Sequence, residues 1–162
     1  MPFRILVADD HEVVRRGLCA LLQAHPDWEI CGEANDGREA LEKAHKLKPD
    51  VVILDIGMPS LNGLEATRQI LKSNPPTKVL ILTLHDSDQV VREVLNAGAR
   101  GFLLKSDAAR DLVAAVEALR RDKTYFTSKV ATMVLEGYLK GAPGTVEKMV
   151  LLNVVVDPSG PL

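Results

Sequence analysis

The sequence predicts an α/β fold, a doubly wound five-stranded parallel sheet with helices on both faces. Two features point to it. Five short apolar runs alternate with five segments of helical periodicity. The third and fourth runs, Val51–Leu54 and Lys78–Leu82, are rich in Val, Ile and Leu without polar alternation, which suits strands covered on both faces.

The elements follow in order. Phe3–Ala8 is the first strand. His11–Ala24 follows as a helix, with Val14, Leu18, Leu21 and Leu22 on one stripe. Trp28–Ala34 alternates and reads as an edge strand. Asp36 is a good cap for a helix over Gly37–Leu47, which groups Ala40, Leu41 and Ala44. After Val51–Leu54, Ser60 is expected to cap a helix over Leu61–Leu71, with Leu64, Thr67, Ile70 and Leu71 together. After Lys78–Leu82, Ser87 caps a helix to Ala97 that presents Val90, Val91, Val94 and Leu95, and Gly98 can end it in a left-handed turn. Gly101–Leu104 is the fifth strand. A last helix, Asp107–Arg121, starts at Ser106 or Asp107 and presents Leu112, Val116 and Leu119. Strand–helix alternation of this kind implies right-handed crossovers. The strand order is not legible in one sequence; the flavodoxin-like order is the common five-stranded choice.

Composition narrows the function classes. The chain of 162 residues holds one domain, residues 1–122, and a short appendage, residues 123–162. A net charge of -2 gives no global attraction to nucleic acid. Cys19 and Cys31 lack CxxC spacing and read as small buried hydrophobes in a reducing cytosol. No signal peptide is read at MPFRILVADD, and no apolar run approaches the roughly 20 residues that span a bilayer. A cytoplasmic location and no membrane partner are expected. Neither GxxxxGK[ST] nor GxGxxG occurs, which argues against nucleotide binding on a similar sheet.

In a parallel sheet the carboxyl ends of all strands line one edge, and ligands bind there. Strand one runs into Asp9-Asp10, strand three into Asp55, strand four into Thr83 and strand five into Lys105. Each alone is an ordinary loop residue; together they converge three carboxylates, a hydroxyl and an ammonium. The carboxylates repel one another. A hard divalent cation relieves that, and magnesium is held by one or two carboxylates plus phosphate oxygens. A carboxylate can attack phosphorus to form an aspartyl phosphate, with catalysis mostly by positioning and charge neutralisation.

The stretches ILVADDHEVVRRGL, PDVVILDIGMPSLNGLEA, KVLILTLHD and AGARGFLLKSD closely resemble the CheY-like receiver domain of bacterial two-component response regulators, in its NarL/FixJ branch. The resemblance covers about residues 3–121. It implies that Asp55 is the phosphoacceptor, that Asp10 binds Mg2+ directly, Asp9 mostly through water, and that the Gly57 main-chain carbonyl completes the protein ligands. Thr83 and Lys105 would contact the phosphoryl oxygens, and Met58-Pro59 and Gly63 would shape the loop after Asp55. It also implies a sensor histidine kinase as phosphodonor, a homodimer through a face the sequence does not indicate, and an output surface at the fourth helix, fifth strand and fifth helix. The domain would catalyse only its own phosphorylation and dephosphorylation. Two positions depart from the common pattern. Phe102, the switch aromatic coupled to Thr83, stands where relatives often carry Tyr, so any switching of its ring works through packing. Lys105-Ser106 replaces Lys-Pro, so the isomer of that bond is left open.

His11, His25 and His45 read as surface, His85 as a partly exposed loop residue, and Trp28 and Met58 as packing. Phe126-Thr127-Ser128-Lys129 looks like the start of a linker helix, capped by Thr127 or Ser128, with Val130, Val134, Tyr138 and Leu139 on its stripe. Gly141-Ala142-Pro143-Gly144 breaks it. The eighteen residues from Thr145 to Leu162 hold one Lys and no Arg, so neither the length nor the charge of a helix-turn-helix is present there. The run Met149–Val156 is apolar and reads as a strand at a sheet edge, a dimer contact or a disordered remnant. The expected function is therefore a phosphoacceptor module of a phosphorelay. The alternative is a NarL/LuxR-type transcription regulator whose effector region is missing or truncated. A phosphatase with an aspartyl nucleophile is disfavoured, because Asp55 is followed by Ile56-Gly57 and not by a second acid two residues on.

Overall fold

The apolar runs become strands where the sequence places them. In a computed structural model describing residues 2–139 and 154–156, the elements are β1 (Phe3–Ala8), α1 (Glu12–Gln23), β2 (Trp28–Ala34), α2 (Gly37–Leu47), β3 (Val51–Asp55), α3 (Gly63–Ser73), β4 (Lys78–Thr83), α4 (Asp88–Ala97), β5 (Gly101–Leu104), α5 (Ala108–Arg120), β6 (Thr124–Phe126), α6 (Ser128–Leu139) and β7 (Val154–Val156). Every strand pair is parallel, and the sheet order is β2-β1-β3-β4-β5-β6-β7. Its first five strands follow the flavodoxin-like order. Two short strands widen the sheet beyond the five expected, because Thr124–Phe126 returns alongside β5 after α5.

Both faces of the sheet are covered, as the unbroken apolar strands require. On one face Leu6, Val52, Leu54, Ile81, Phe102 and Phe126 pack with α2, α3, α4 and α6. On the other, Ile5, Val7, Ile53, Leu80, Leu82 and Leu103 pack with α1 and α5. Trp28 and Met58 are buried, as their packing role demands. Cys19 is buried and Cys31 half-buried, and both are free thiols.

Helix starts follow side-chain chemistry at α2 and α4 and need a correction at α3, while α5 has Asp107 at its start, as expected, but without a side-chain cap hydrogen bond. Asp36 accepts the Glu39 N–H at 2.8 Å, and Ser87 accepts the Val90 N–H at 3.3 Å. The cap of α3 is Asn62, not Ser60. Ser60 sits at φ +69, whereas Asn62 is extended and accepts the Glu65 N–H at 2.9 Å; a cap needs that extended backbone. Gly98 ends α4 at φ +97, the left-handed stop expected there. The Lys105–Ser106 bond is trans, since no cis bond occurs among the described residues. It opens a 3₁₀ turn, Lys105–Asp107, that leads into α5.

The appendage is partly built into the fold. Helix α6 is capped by Thr127, whose Oγ1 accepts the Val130 N–H at 3.4 Å. Val130 and Val134 are buried in the same cluster as Phe102, Val91 and Val94. The Tyr138 and Leu139 side chains, the Gly141–Gly144 break and residues 149–153 lie outside the described residues. Val154–Val156 pairs with β6 as an edge strand.

Two glycines have opposite surroundings. A Cβ on Gly37 would lie 1.6 Å from the Leu61 carbonyl oxygen, whereas one on Gly17 in α1 meets nothing within 4 Å. Gly37→Ala is therefore expected to cost about 2 kcal/mol or more, as forced overpacking against backbone does. Gly17→Ala is expected to gain about 0.5–1 kcal/mol of helix propensity. Urea midpoints of the two variants, moving in opposite directions, check this.

Candidate functional site

The register of the sheet aligns the strand ends. Ala8 pairs with Leu54, Asp55 with Leu82, and Thr83 with Leu104. Asp9, Asp55, Thr83 and Lys105 therefore leave their strands at nearly one level. Four separate strand tips deliver them to one edge, as the sequence predicts.

Lys105 joins two of those tips. Its Nζ lies 3.0 Å from Asp55 Oδ2 and 3.0 Å from Asp9 Oδ2. Asp55 and Asp9 are buried, while Asp10 is exposed at the rim. Asp55 Oδ1 accepts the Gly57 N–H at 3.1 Å. Asp9 Oδ1 accepts the His11 N–H at 2.8 Å, and Asp9 Oδ2 has the Lys105 charge beside it but no aligned hydrogen bond. Burial alone pulls the Lys105 ammonium down. The Asp55 hydrogen bond and the charges of Asp55 and Asp9 outweigh it and hold the group above the ordinary lysine range.

Three carboxylates face one ammonium, so the site keeps an excess of negative charge. One ligand atom each from Asp9, Asp10, His11 and Asp55 lies within 4.8 Å of the others. A donor set dominated by carboxylate oxygens, with an under-satisfied buried oxygen on Asp9, fits a hard divalent cation such as magnesium.

Thr83 is buried but engaged elsewhere. Its hydroxyl donates to the His85 carbonyl at 3.0 Å and accepts the His85 N–H at 3.2 Å. Phe102 is fully buried. Lys129, at the start of α6, lies 3.6 Å from Asp86 and 3.8 Å from Asp88, on the segment that follows Thr83.

Two histidines make contacts that the surface reading did not include. His11 is exposed, yet its Nδ1 lies 3.2 Å from Asp9 Oδ1 and 3.3 Å from Asp10 Oδ1. Its position directly after Asp9-Asp10, at the helix start, is the signal that places it there. His25 stacks on Trp28 with ring centroids 3.9 Å apart and an 8° angle; the spacing of three residues across a tight turn carries it. The sequence reading gave no role to Arg15, which contacts the Asp9 main chain.

Comparisons with known proteins show the family and the fold. The response regulator receiver domain matches residues 5–117. The chain is 42% identical over 132 residues to the transcriptional regulatory protein LiaR of Bacillus subtilis, covering 82% of this chain and 63% of that one. It is 41% identical over 130 residues to the response regulator protein VraR of Staphylococcus aureus, covering 80% and 62%. It thus spans about three-fifths of the length of the curated relatives it matches. Among solved structures, a LuxR-family two-component response regulator from Aurantimonas sp. SI85-9A1 superimposes with a TM-score of 0.78 at 31% identity, covering 86% of this chain and 99% of that one. The response regulator domain of Thermotoga maritima CheB gives a TM-score of 0.67 at 34% identity, covering 72% and 95%.

Because its folded pKa is raised, Lys105 stabilises the fold fully below the unfolded lysine value of about 10.4 and loses that contribution as pH rises through the higher folded value. Lys105→Met in metal-free buffer is expected to lose about 1–2 kcal/mol at neutral pH, the scale of a charged hydrogen bond. The gap to wild type should shrink above the folded lysine value. Urea unfolding at neutral and strongly alkaline pH checks both.

Proposed function

The chain belongs to the response regulator receiver family, and we propose that it takes a phosphoryl group from a sensor histidine kinase onto Asp55 and changes conformation in response. The observation that supports this most is the Lys105 ammonium held 3.0 Å from both Asp55 and Asp9 inside an acidic cluster at the carboxyl edge of the sheet.

The Asp55 carboxylate attacks phosphorus, forming a P–O bond. The P–N bond of the donor phosphohistidine breaks, and its electron pair returns to the imidazole. The Gly57 N–H holds Asp55 Oδ1 in place, leaving rotation about the carboxylate restricted. Lys105 gives up one carboxylate partner and pairs with a phosphoryl oxygen. Asp10, Asp55 and the Gly57 carbonyl, with Asp9 behind them, would hold magnesium, which would supply positive charge against the phosphoryl oxygens. The only reactions assigned to the domain itself are this transfer and the later hydrolysis of its own aspartyl phosphate.

Thr83 supplies the switch. To donate to a phosphoryl oxygen, its hydroxyl must leave the His85 carbonyl. That loosens the segment carrying Asp86, which Lys129 of α6 contacts. Phe102 has no hydroxyl to follow Thr83, so its response is repacking between α4 and α6. The output surface is α4, β5 and α5, and in this chain α6 adjoins it. A homodimer and a cytoplasmic location belong to the same reading; among the described residues no helix is long and apolar enough to cross a membrane.

A second reading, transcription regulation of the NarL/LuxR type, draws on the name of LiaR, a relative whose full length this chain does not span. Sequence-specific retardation of DNA by these 162 residues would support it.

Incubation with magnesium and acetyl phosphate is expected to add one phosphoryl group to wild type and none to Asp55→Asn, read by intact mass. No gain in wild type, or an equal gain in the variant, would sink the reading. Thr83→Ala is expected to gain the same mass while losing the rise in amide exchange over residues 84–87 that phosphorylation causes in wild type.

A further inference from the structure

The end of β1 is held by a contact that the phosphoryl chemistry does not use. Arg15, on the second turn of α1, is only 9% exposed, unusual for an arginine on a helix at the sheet's edge. Its Nη1 donates to the Asp9 main-chain carbonyl at 2.8 Å, and its Nε donates to Glu33 Oε1 on β2 at 3.0 Å. From the other side, the Asp9 N–H donates to the Ala34 carbonyl at 3.1 Å. Cys19, a titratable group beside Glu33, is a neutral thiol, pushed up to about 11 by burial and then by the Glu33 charge, and the nearby Lys43 ammonium donates to the Glu33 main-chain carbonyl, not to its carboxylate. Arg15 is thus the cation that Glu33 orients.

The carbonyl that Arg15 grips belongs to the peptide joining Asp9 to Asp10. Its direction sets how the backbone leaves β1, and so where both carboxylates point. Asp10 has little else to aim it: among the described residues its side chain's one ion pair is with the exposed His11 ring. A planar, always-charged fork suits this task better than a flexible ammonium.

We propose that Arg15, oriented by Glu33, is a positioning residue that aims the Asp9–Asp10 peptide for magnesium binding. This rests on the reading of the acidic cluster as a magnesium site. It makes a prediction whose sign differs from that of simple electrostatics. Arg15 adds positive charge beside the carboxylates, so by charge alone its loss would tighten a divalent cation. By positioning, its loss weakens the cation.

Magnesium is titrated into the 162-residue protein, followed by the amide NMR shifts of residues 8–11 and 55–57, with thermal unfolding measured in parallel. Arg15→Gln is expected to raise the magnesium Kd about tenfold, the scale seen when a group behind a metal ligand is removed. The magnesium concentration that half-saturates phosphorylation should rise with it, while the rate at saturating magnesium stays within about twofold. An unchanged or lower Kd, or a lowered Tm with an unchanged Kd, would overturn the proposal. If Arg15→Gln does not fold, Arg15→Lys decides. It keeps the charge and loses the fork, so about a threefold weaker Kd is expected, and an unchanged one overturns the idea. Asp10→Asn serves as the control for the site: if it binds magnesium as wild type does, the magnesium reading itself fails, whatever Arg15 does.

Discussion

The structure turns on one electrostatic conflict. Parallel strands must end on the same edge, and this chain ends two of them in acids, at Asp9-Asp10 and at Asp55. The residues directly behind those acids, Ile5–Ala8 and Val51–Leu54, are fully buried, so the carboxylates cannot relax apart without disturbing the core. One ammonium, Lys105, arrives from β5 and touches two of them at 3.0 Å. It does not balance the set. A site held in that condition has an affinity for further positive charge and for a group that can share the lysine.

The two sides of the site are built differently. On the β1 side, Asp9 donates its N–H to the Ala34 carbonyl and accepts from the Arg15 guanidinium at its own carbonyl, so the acids are anchored to the sheet and to α1. On the β4 side, Thr83 is satisfied by the carbonyl and N–H of His85, two residues along an exposed loop. The first arrangement resists motion; the second exchanges one hydrogen bond for another at small net cost. A fixed charge cluster facing a movable hydroxyl is what a two-state response needs. Helix α6 lies against the movable side, with Val130 and Val134 packed beside α4 and Lys129 near Asp86 and Asp88.

Most strands were legible because burial on both faces writes itself as an apolar run. Lys78–Thr83 and Gly101–Leu104 stand within a residue of the runs read from sequence. The helix caps at Asp36 and Ser87 were legible for a local reason, the reach of a short polar side chain to the N–H three residues on. Where two such residues competed, at Ser60 and Asn62, backbone conformation decided, and the sequence does not display φ. The contacts of His11 and His25 went unread because they depend on the neighbours Asp9-Asp10 and Trp28, not on a ligand spacing. Strand β6 is three residues long, too short to show a period, whereas Val154–Val156 lies in the apolar run for which an edge strand was one of the readings. Arg15 escaped because one partner is a main-chain carbonyl, which every residue has, and the other, Glu33, lies 18 positions away on a different element.

By itself the sequence determined the alternation of elements, hence a parallel sheet, hence a shared edge for the residues that follow each strand. That chain of steps needs only hydrophobic periodicity and the geometry of crossovers. Tertiary structure decided the order of the strands, the register that brings Lys105 within reach of both Asp9 and Asp55, and the partner that occupies the Thr83 hydroxyl. Those depend on contacts between residues 50 and 96 positions apart, Lys105 with Asp55 and with Asp9, and such contacts are set by how buried surfaces fit together, which no local pattern encodes.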